Sequence, residues 1–191
     1  MSDGLDRDEL LALLEQVAIE LSRAQVVGDI YVVGGAAISL CGWDETRRTH
    51  DIDGVIRAGH GAVVEAVQQV GRRHGLPGSW LNEQAAMFVP LVEDADAQLV
   101  FERPYLRVRA ASLQVLLAMK VASGRLMDIS DAATLLPESG WGTKELVAVV
   151  EAQFGTDAVT PKVMNSIGSV VSMANSRSKS REYPDLNDGL S

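Results

Sequence analysis

Hydrophobic positions along this chain follow two periods, and the balance between them changes near residue 111. In residues 8–26, Leu10, Leu11, Leu14, Val17, Ala18 and Leu21 share one helical face, and Gly28 is the expected stop signal. Residues 30–33, Ile-Tyr-Val-Val, are short, β-branched and aromatic, which predicts a buried strand. Gly34-Gly35 follows at once, and residues 36–41 read as a short helix. Alternation takes over in residues 49–56, where Asp51, Asp53 and Val55 point one way and Ile52 and Ile56 the other. Helical spacing returns in residues 60–74 through Val63, Val64, Val67 and Val70, and residues 75–78 are a loop. Residues 97–102 and 106–110 read as two strands joined by Arg103-Pro104-Tyr105.

Beyond residue 111 the pattern is helical throughout. Ser112 is a suitable N-cap for residues 113–123, and further helices are expected over 128–136, 143–154 and 161–175. Thr160-Pro161 is a start signal, with a capping oxygen followed by proline at the first helical position. The order predicts an α/β (α+β) protein with a small mixed sheet and a helical C-terminal half. The expected boundaries are an α/β core with an N-terminal helix over 1–110, a helical region over 111–176 and a flexible tail over 177–191.

Composition narrows the possibilities. With 191 residues, 47% of them apolar, the chain buries roughly 70% of its unfolded surface and needs no staples. Cys41 is the single cysteine, which excludes an intramolecular disulfide and a cysteine-based zinc site. It is expected in the core. The net charge of −9 argues against general nucleic-acid binding. Cations are nonetheless strung at Arg47-Arg48, Arg72-Arg73-His74, Arg103/Arg107/Arg109 and Arg177/Lys179/Arg181, so a local basic face is possible. The acidic start has no basic secretory n-region, and the longest uncharged stretch, residues 30–43, is too short to span a bilayer. The expectation is a soluble, cytoplasmic protein without a membrane partner.

Two short segments carry chemistry. Gly34-Gly35 joins a hydrophobic strand to a helix, where glycine allows close backbone approach to a phosphate; the plainer alternative is a simple turn. Asp51-Ile52-Asp53 places two carboxylates on one strand face, a costly arrangement that a divalent cation would offset. The plainer alternative is an edge strand showing two acids to water. A third segment, residues 117–131, sets Lys120 in an apolar face and spaces Asp128 and Asp131 three apart.

Taken together, Val33-Gly34-Gly35 and Arg47-Arg48-Thr49-His50-Asp51-Ile52-Asp53 resemble the signature of the nucleotidyltransferase superfamily, which has a polymerase-β-like core. Met119-Lys120, Arg125 and Asp128-Ile129-Ser130-Asp131 look like the corresponding element of bacterial nucleotidyltransferases of the AbiEii and MenT toxin type. Trp80-Leu81-Asn82 and Phe88-Val89-Pro90 are also similar to relatives in that group. The resemblance covers residues 30–136.

The resemblance implies roles residue by residue. Gly34 and Gly35 would contact a nucleoside triphosphate, with Arg47, Thr49, Asn82, Arg125 and Asp131 as further nucleotide-binding positions. Asp51 and Asp53 would ligate Mg²⁺ or Mn²⁺. Lys120 would neutralise phosphate charge, Asp128 would orient it or the attacking group, and Asp53 or Asp128 would accept the acceptor's proton. The implied function is transfer of a nucleoside monophosphate to an RNA acceptor, such as a tRNA 3′ end, by the toxin of a toxin–antitoxin pair with a cognate antitoxin. A small-molecule, antibiotic-type nucleotidyltransferase and a degenerate, non-catalytic partner-binding fold are the alternatives. The wider superfamily often has a third carboxylate on a later strand. Residues 97–102 offer no aligned aspartate, and Asp94, Asp96 and Glu102 are the nearest substitutes. His50 is expected to pack in the strand beside the acids, and Trp43, Trp80 and Trp141 to pack and not to stack on bases. Ser39 and Thr49 flank the pocket, where phosphorylation would repel a triphosphate.

Overall fold

The computed structural model describes residues 4–182. They divide into two compact units, residues 4–89 with 93–112, and residues 90–92 with 113–182. The first unit contains α1 (Arg7–Ala24), β1 (Gly28–Val33), α2 (Gly34–Leu40), β2 (Ile52–Ala58), α3 (His60–His74), β3 (Leu81–Asn82), a 3₁₀ turn at Ala86–Phe88, β4 (Gln98–Arg103) and β5 (Leu106–Ala110). The second contains α4 (Leu113–Ser123), α5 (Leu126–Ser139), α6 (Thr143–Phe154), a 3₁₀ turn at Thr156–Ala158 and α7 (Pro161–Glu182). The protein is therefore mixed α/β with a mixed sheet, as the hydrophobic pattern predicts.

Helix α1 opens on a capping box: the Glu9 N–H donates to Asp6 Oδ1 at 3.0 Å, and the Asp6 N–H donates to Glu9 Oε2 at 2.9 Å. It does not stop at Gly28. Gln25 ends it in the left-handed conformation at φ 54°, and Gly28 opens β1 instead. Glycine is needed there for packing, because a Cβ would lie 2.8 Å from Val63 and 2.9 Å from Leu21.

The sheet order is β3-β2-β1-β5-β4, with β1 antiparallel to β2 and parallel to β5. Ile30, Val32, Ile52, Val108 and Ala110 are buried on the face that meets α1 and α3. The opposite face carries Asp53 and Val55 from β2, Asp29, Tyr31 and Val33 from β1, and Arg107 and Arg109 from β5; Arg57, at the irregularity where the β1–β2 register shifts, joins this face through its contact with the Tyr31 ring. One face is thus an apolar seam and the other a chemically mixed surface.

Strand β2 begins at Ile52, later than residue 49, because Thr49 bridges to Leu5 and residues 50–51 bend. It runs on to Ala58. Strand β3 has no counterpart in the sequence reading. It is seated by Trp80, which is wholly buried and donates from Nε1 to the Val67 carbonyl at 2.9 Å. Gly71 of α3 makes room for that indole: a Cβ there would lie 2.9 Å from it.

In the second unit, α5 is longer at both ends than the expected 128–136, with Pro137 in its last turn and Gly140 at φ 66° closing it. The Val163 N–H donates to Thr160 Oγ1 at 3.3 Å, so the predicted start of α7 is capped as expected. That helix continues to Glu182, past the expected end at 175, so residues 177–182 are helical and not a loose tail. The rest of the expected tail, residues 183–191, lies outside the described residues. Among the described residues, no helix is long and apolar enough to cross a membrane.

Candidate functional site

The first unit gathers seven predicted residues at the end of β1. The chain leaves Val33 through Gly34, which has φ +67°, a conformation that disfavours any side chain. A Cβ on Gly34 would lie 3.5 Å from Asp53 Oδ2, so the Asp53 carboxylate stands directly against the glycine turn. Val33 and Asp53 are register partners on β1 and β2. Asp53 is in turn the register partner of Asn82 on β3. The Asn82 amide donates to Asp51 Oδ2 at 3.2 Å and to the Ser79 carbonyl at 3.1 Å. Asp51 sits in the bend just before β2, not within the strand. One asparagine nevertheless stands beside Asp53 in register and bonds Asp51, and both acids are half-buried.

Arg47 and Thr49 close the other side. A Cβ on Gly35 would come within 2.9 Å of an Arg47 guanidinium nitrogen and 3.1 Å of Thr49 Oγ1. The Thr49 hydroxyl donates to the Asp51 carbonyl at 3.1 Å, which fixes the approach to the acids. Ser39 and Thr49 are both buried, and the Ser39 hydroxyl donates to the Arg47 carbonyl at 3.5 Å. Modification of either hydroxyl would require the corner to open.

Two hard carboxylates beside a glycine turn and a guanidinium fit a small divalent cation carrying a polyphosphate, whose oxygens would complete the shell. Among the described residues, no group of three or more His, Cys, Asp or Glu side chains is placed to hold a metal alone. The substitutes for a third acid are committed elsewhere or exposed. Asp94 Oδ2 accepts from the Tyr31 hydroxyl at 2.6 Å and from the Ser112 N–H at 2.8 Å. Glu102 pairs with Arg107 at 3.1 Å, and Asp96 is exposed. The residue beside Asp53 on the neighbouring strand is an amide, Asn82.

Tyr31 lies on the same sheet face as Asp53. Burial, and then the hydrogen bond to Asp94, push its phenol well above the ordinary value, so it stays a donor. Arg57 lies over its ring, 4.2 Å from the centroid. A groove of about 440 Å³ opens at the other end of β1, between Asp29, Arg103 and Arg107, and is remote in register from the acids.

The second unit holds the remaining four residues. Lys120 Nζ donates to Asp128 Oδ1 and to Asp131 Oδ2, each at 2.7 Å. Asp128 Oδ2 accepts from Ser123 Oγ and from Arg125 Nε, each at 2.6 Å. Lys120, Asp128 and Asp131 are buried, while Arg125 is exposed. Burial alone raises the Asp128 pKa, but hydrogen bonds from Lys120, Ser123 and Arg125 outweigh it and hold the carboxyl below its ordinary 3.8. Two carboxylates meet two cations, so the cluster is internally balanced.

With this geometry in view, the comparisons with known proteins become informative. Residues 8–138 match the model of the family described as "Nucleotidyltransferase of unknown function (DUF6036)". The chain belongs to that nucleotidyltransferase family. No curated protein and no solved structure matches it. The matched span covers the glycine turn, both acids and the Lys120 cluster.

Two expectations about neighbouring residues change, those for His50 and Cys41. His50 is exposed in the bend before β2 and does not pack within the strand. Cys41 caps α2 and is half-buried, with its thiol pushed up by burial to about 12. Of the three tryptophans, Trp80 is wholly buried, whereas Trp43 and Trp141 are half-buried. The sequence reading misses Tyr31 and Arg57. Their signal is faint: an aromatic inside an apolar strand, and an arginine in phase with Asp53.

Proposed function

We propose that the chain transfers a nucleoside monophosphate from a nucleoside triphosphate to an acceptor hydroxyl, with Mg²⁺ or Mn²⁺ as cofactor and pyrophosphate as leaving group. The observation that carries this reading is the convergence of Gly34, Gly35, Arg47, Thr49, Asp51, Asp53 and Asn82 at one end of β1. When bound, the metal would neutralise charge on the triphosphate and on the departing pyrophosphate. Asp51 and Asp53 would supply carboxylate oxygens to it, and the Asn82 amide orients Asp51. Gly34 and Gly35 let phosphate oxygens approach the backbone, and Arg47 supplies a fixed positive charge beside them.

The acceptor oxygen forms a bond to the α-phosphorus as the bond to pyrophosphate breaks. Its proton passes to a carboxylate, for which Asp53 is the candidate. In the helical unit, Lys120 donates to both Asp128 and Asp131. Arg125 and Asp131 hold that arrangement.

The finer reading follows the AbiEii and MenT resemblance: an RNA acceptor such as a tRNA 3′ end, a cytoplasmic toxin role and a cognate antitoxin. The second reading, a non-catalytic fold that binds a partner, draws on Asn82 standing beside Asp53 where an acid would complete a triad. Incubation with α-labelled nucleotides and bulk RNA tests the first reading. We expect label transfer from at least one nucleotide, falling on the order of 100-fold in Asp53→Ala. Absence of transfer from any nucleotide, with Mg-nucleotide binding intact by calorimetry, overturns the RNA version. Absence of binding to any Mg-nucleotide favours the partner-binding fold.

A further inference from the structure

The open face of β2 reads Asp53, Val55, Arg57, one acid and one cation separated by an apolar position. Period two keeps Asp53 and Val55 on one side, and the stacking on Tyr31 puts Arg57 there too, at the irregularity where the register shifts. Arg57 is four positions beyond Asp53, so their backbones stand at most roughly 13 Å apart along the strand.

Arg57 differs from its basic neighbours. Arg48, Arg73, Arg103, Arg107 and Arg109 each pair with a carboxylate. Arg57 is exposed and shows no ion pair among the described residues. Its guanidinium is stacked on Tyr31 instead. Tyr31 is itself fixed, being 1% exposed with its hydroxyl on Asp94, which is held in turn by the Ser112 N–H. Stacking sets the guanidinium plane while its N–H edge remains available. In a chain of net charge −9, a cation held this way and left without a carboxylate suits an anion from outside.

We propose that Arg57, held by Tyr31, binds a backbone phosphate of a single-stranded RNA acceptor whose reacting end lies at Asp53. This inference rests on the nucleotidyl-transfer reading with an RNA acceptor and adds the residue that positions that acceptor. A flat guanidinium presents paired donors that match a phosphate's oxygens. The separation from Asp53 exceeds the about 3.4 Å axial rise per nucleotide several-fold, so the phosphate met is interior to the strand. A cationic small-molecule acceptor would be repelled by the same group.

The test is fluorescence anisotropy of a labelled single-stranded RNA dodecamer on the full chain across a salt series, for wild type, Arg57→Gln and Arg57→Lys. We expect Arg57→Gln to weaken binding about fivefold or more and to reduce the slope of log K against log salt by about 0.7. Arg57→Lys should restore the slope, because the charge returns without the planar fork. Thermal melting should be unchanged in both variants, since the side chain is exposed. An unchanged affinity and slope in Arg57→Gln, no RNA binding by wild type, or a preference for a cationic aminoglycoside over RNA would each overturn the proposal. Mg-nucleotide calorimetry on the same samples separates the two levels. Intact nucleotide binding with no Arg57 effect sinks the acceptor assignment alone, and absent nucleotide binding sinks the transfer reading beneath it.

Discussion

The acid corner of the sheet unit and the lysine cluster of the helical unit use the same residue types to different ends. At the end of β1, Asp51 and Asp53 are half-buried; a neutral amide donates to Asp51, and Asp53 stands against a glycine turn with no side chain of its own. In the helices, Lys120, Asp128 and Asp131 are buried, and each carboxylate accepts a hydrogen bond from the lysine ammonium. The difference teaches where stability and ligand affinity reside. A buried ionic network that is fully satisfied costs a great deal to break at one member, because the others are left charged and desolvated. A half-exposed pair costs little to alter and retains room for an added ligand.

That contrast can be broken by experiment, and the largest effect is expected in the helices. Lys120→Met leaves Asp128 and Asp131 without their ammonium and should destabilise the protein by about 4 kcal/mol in urea unfolding. An unchanged unfolding midpoint would show the cluster to be a ligand site and not a structural one. Asp51→Asn is the opposite case. It should shift stability by about 0.5 kcal/mol or less while weakening Mg-nucleotide binding about tenfold in calorimetry. A large loss of stability with unaltered nucleotide binding would reverse the assignment.

The smallest effect sharpens the contrast through pH. The folded-state pKa of Asp128 is depressed, so its contribution to stability is present above the unfolded value near 3.8 and is lost as pH falls through the folded value. The stability gap between wild type and Asp128→Asn should therefore be full near neutrality and narrow only below about pH 4. A gap that closes near pH 6 would point to a carboxyl with a raised pKa instead.

Much of the corner is legible in the sequence because it violates local preference. Aspartates at the head of a strand and paired glycines at its neighbour's exit are costly where they stand, and cost of that kind marks a site. The helices α4 and α6 are legible to the residue because their boundaries are marked: Ser112 precedes α4 and Gly124 follows its end, and Gly142 and Gly155 flank α6. The end of α1 is not, since Gln25 adopts a conformation usually left to glycine or asparagine. Strand β3 is illegible for a different reason: two residues carry no period, and its place depends on Trp80 finding a seat among residues distant in the chain. The stacking of Arg57 on Tyr31 is likewise a product of register across strands, which no single segment encodes.

The seat of Trp80 extends the reach of one unremarkable helix position. Gly71 touches none of the acids, yet its missing side chain lets the indole settle and so fixes where Leu81 and Asn82 are laid beside β2. A methyl group at position 71 would push the ring outward, and the strand that follows it would carry the amide away from Asp51. The spacing of the chemistry is thus governed from behind the sheet, by an absence in its supporting layer, and a descendant could lose the site while retaining every residue that forms it.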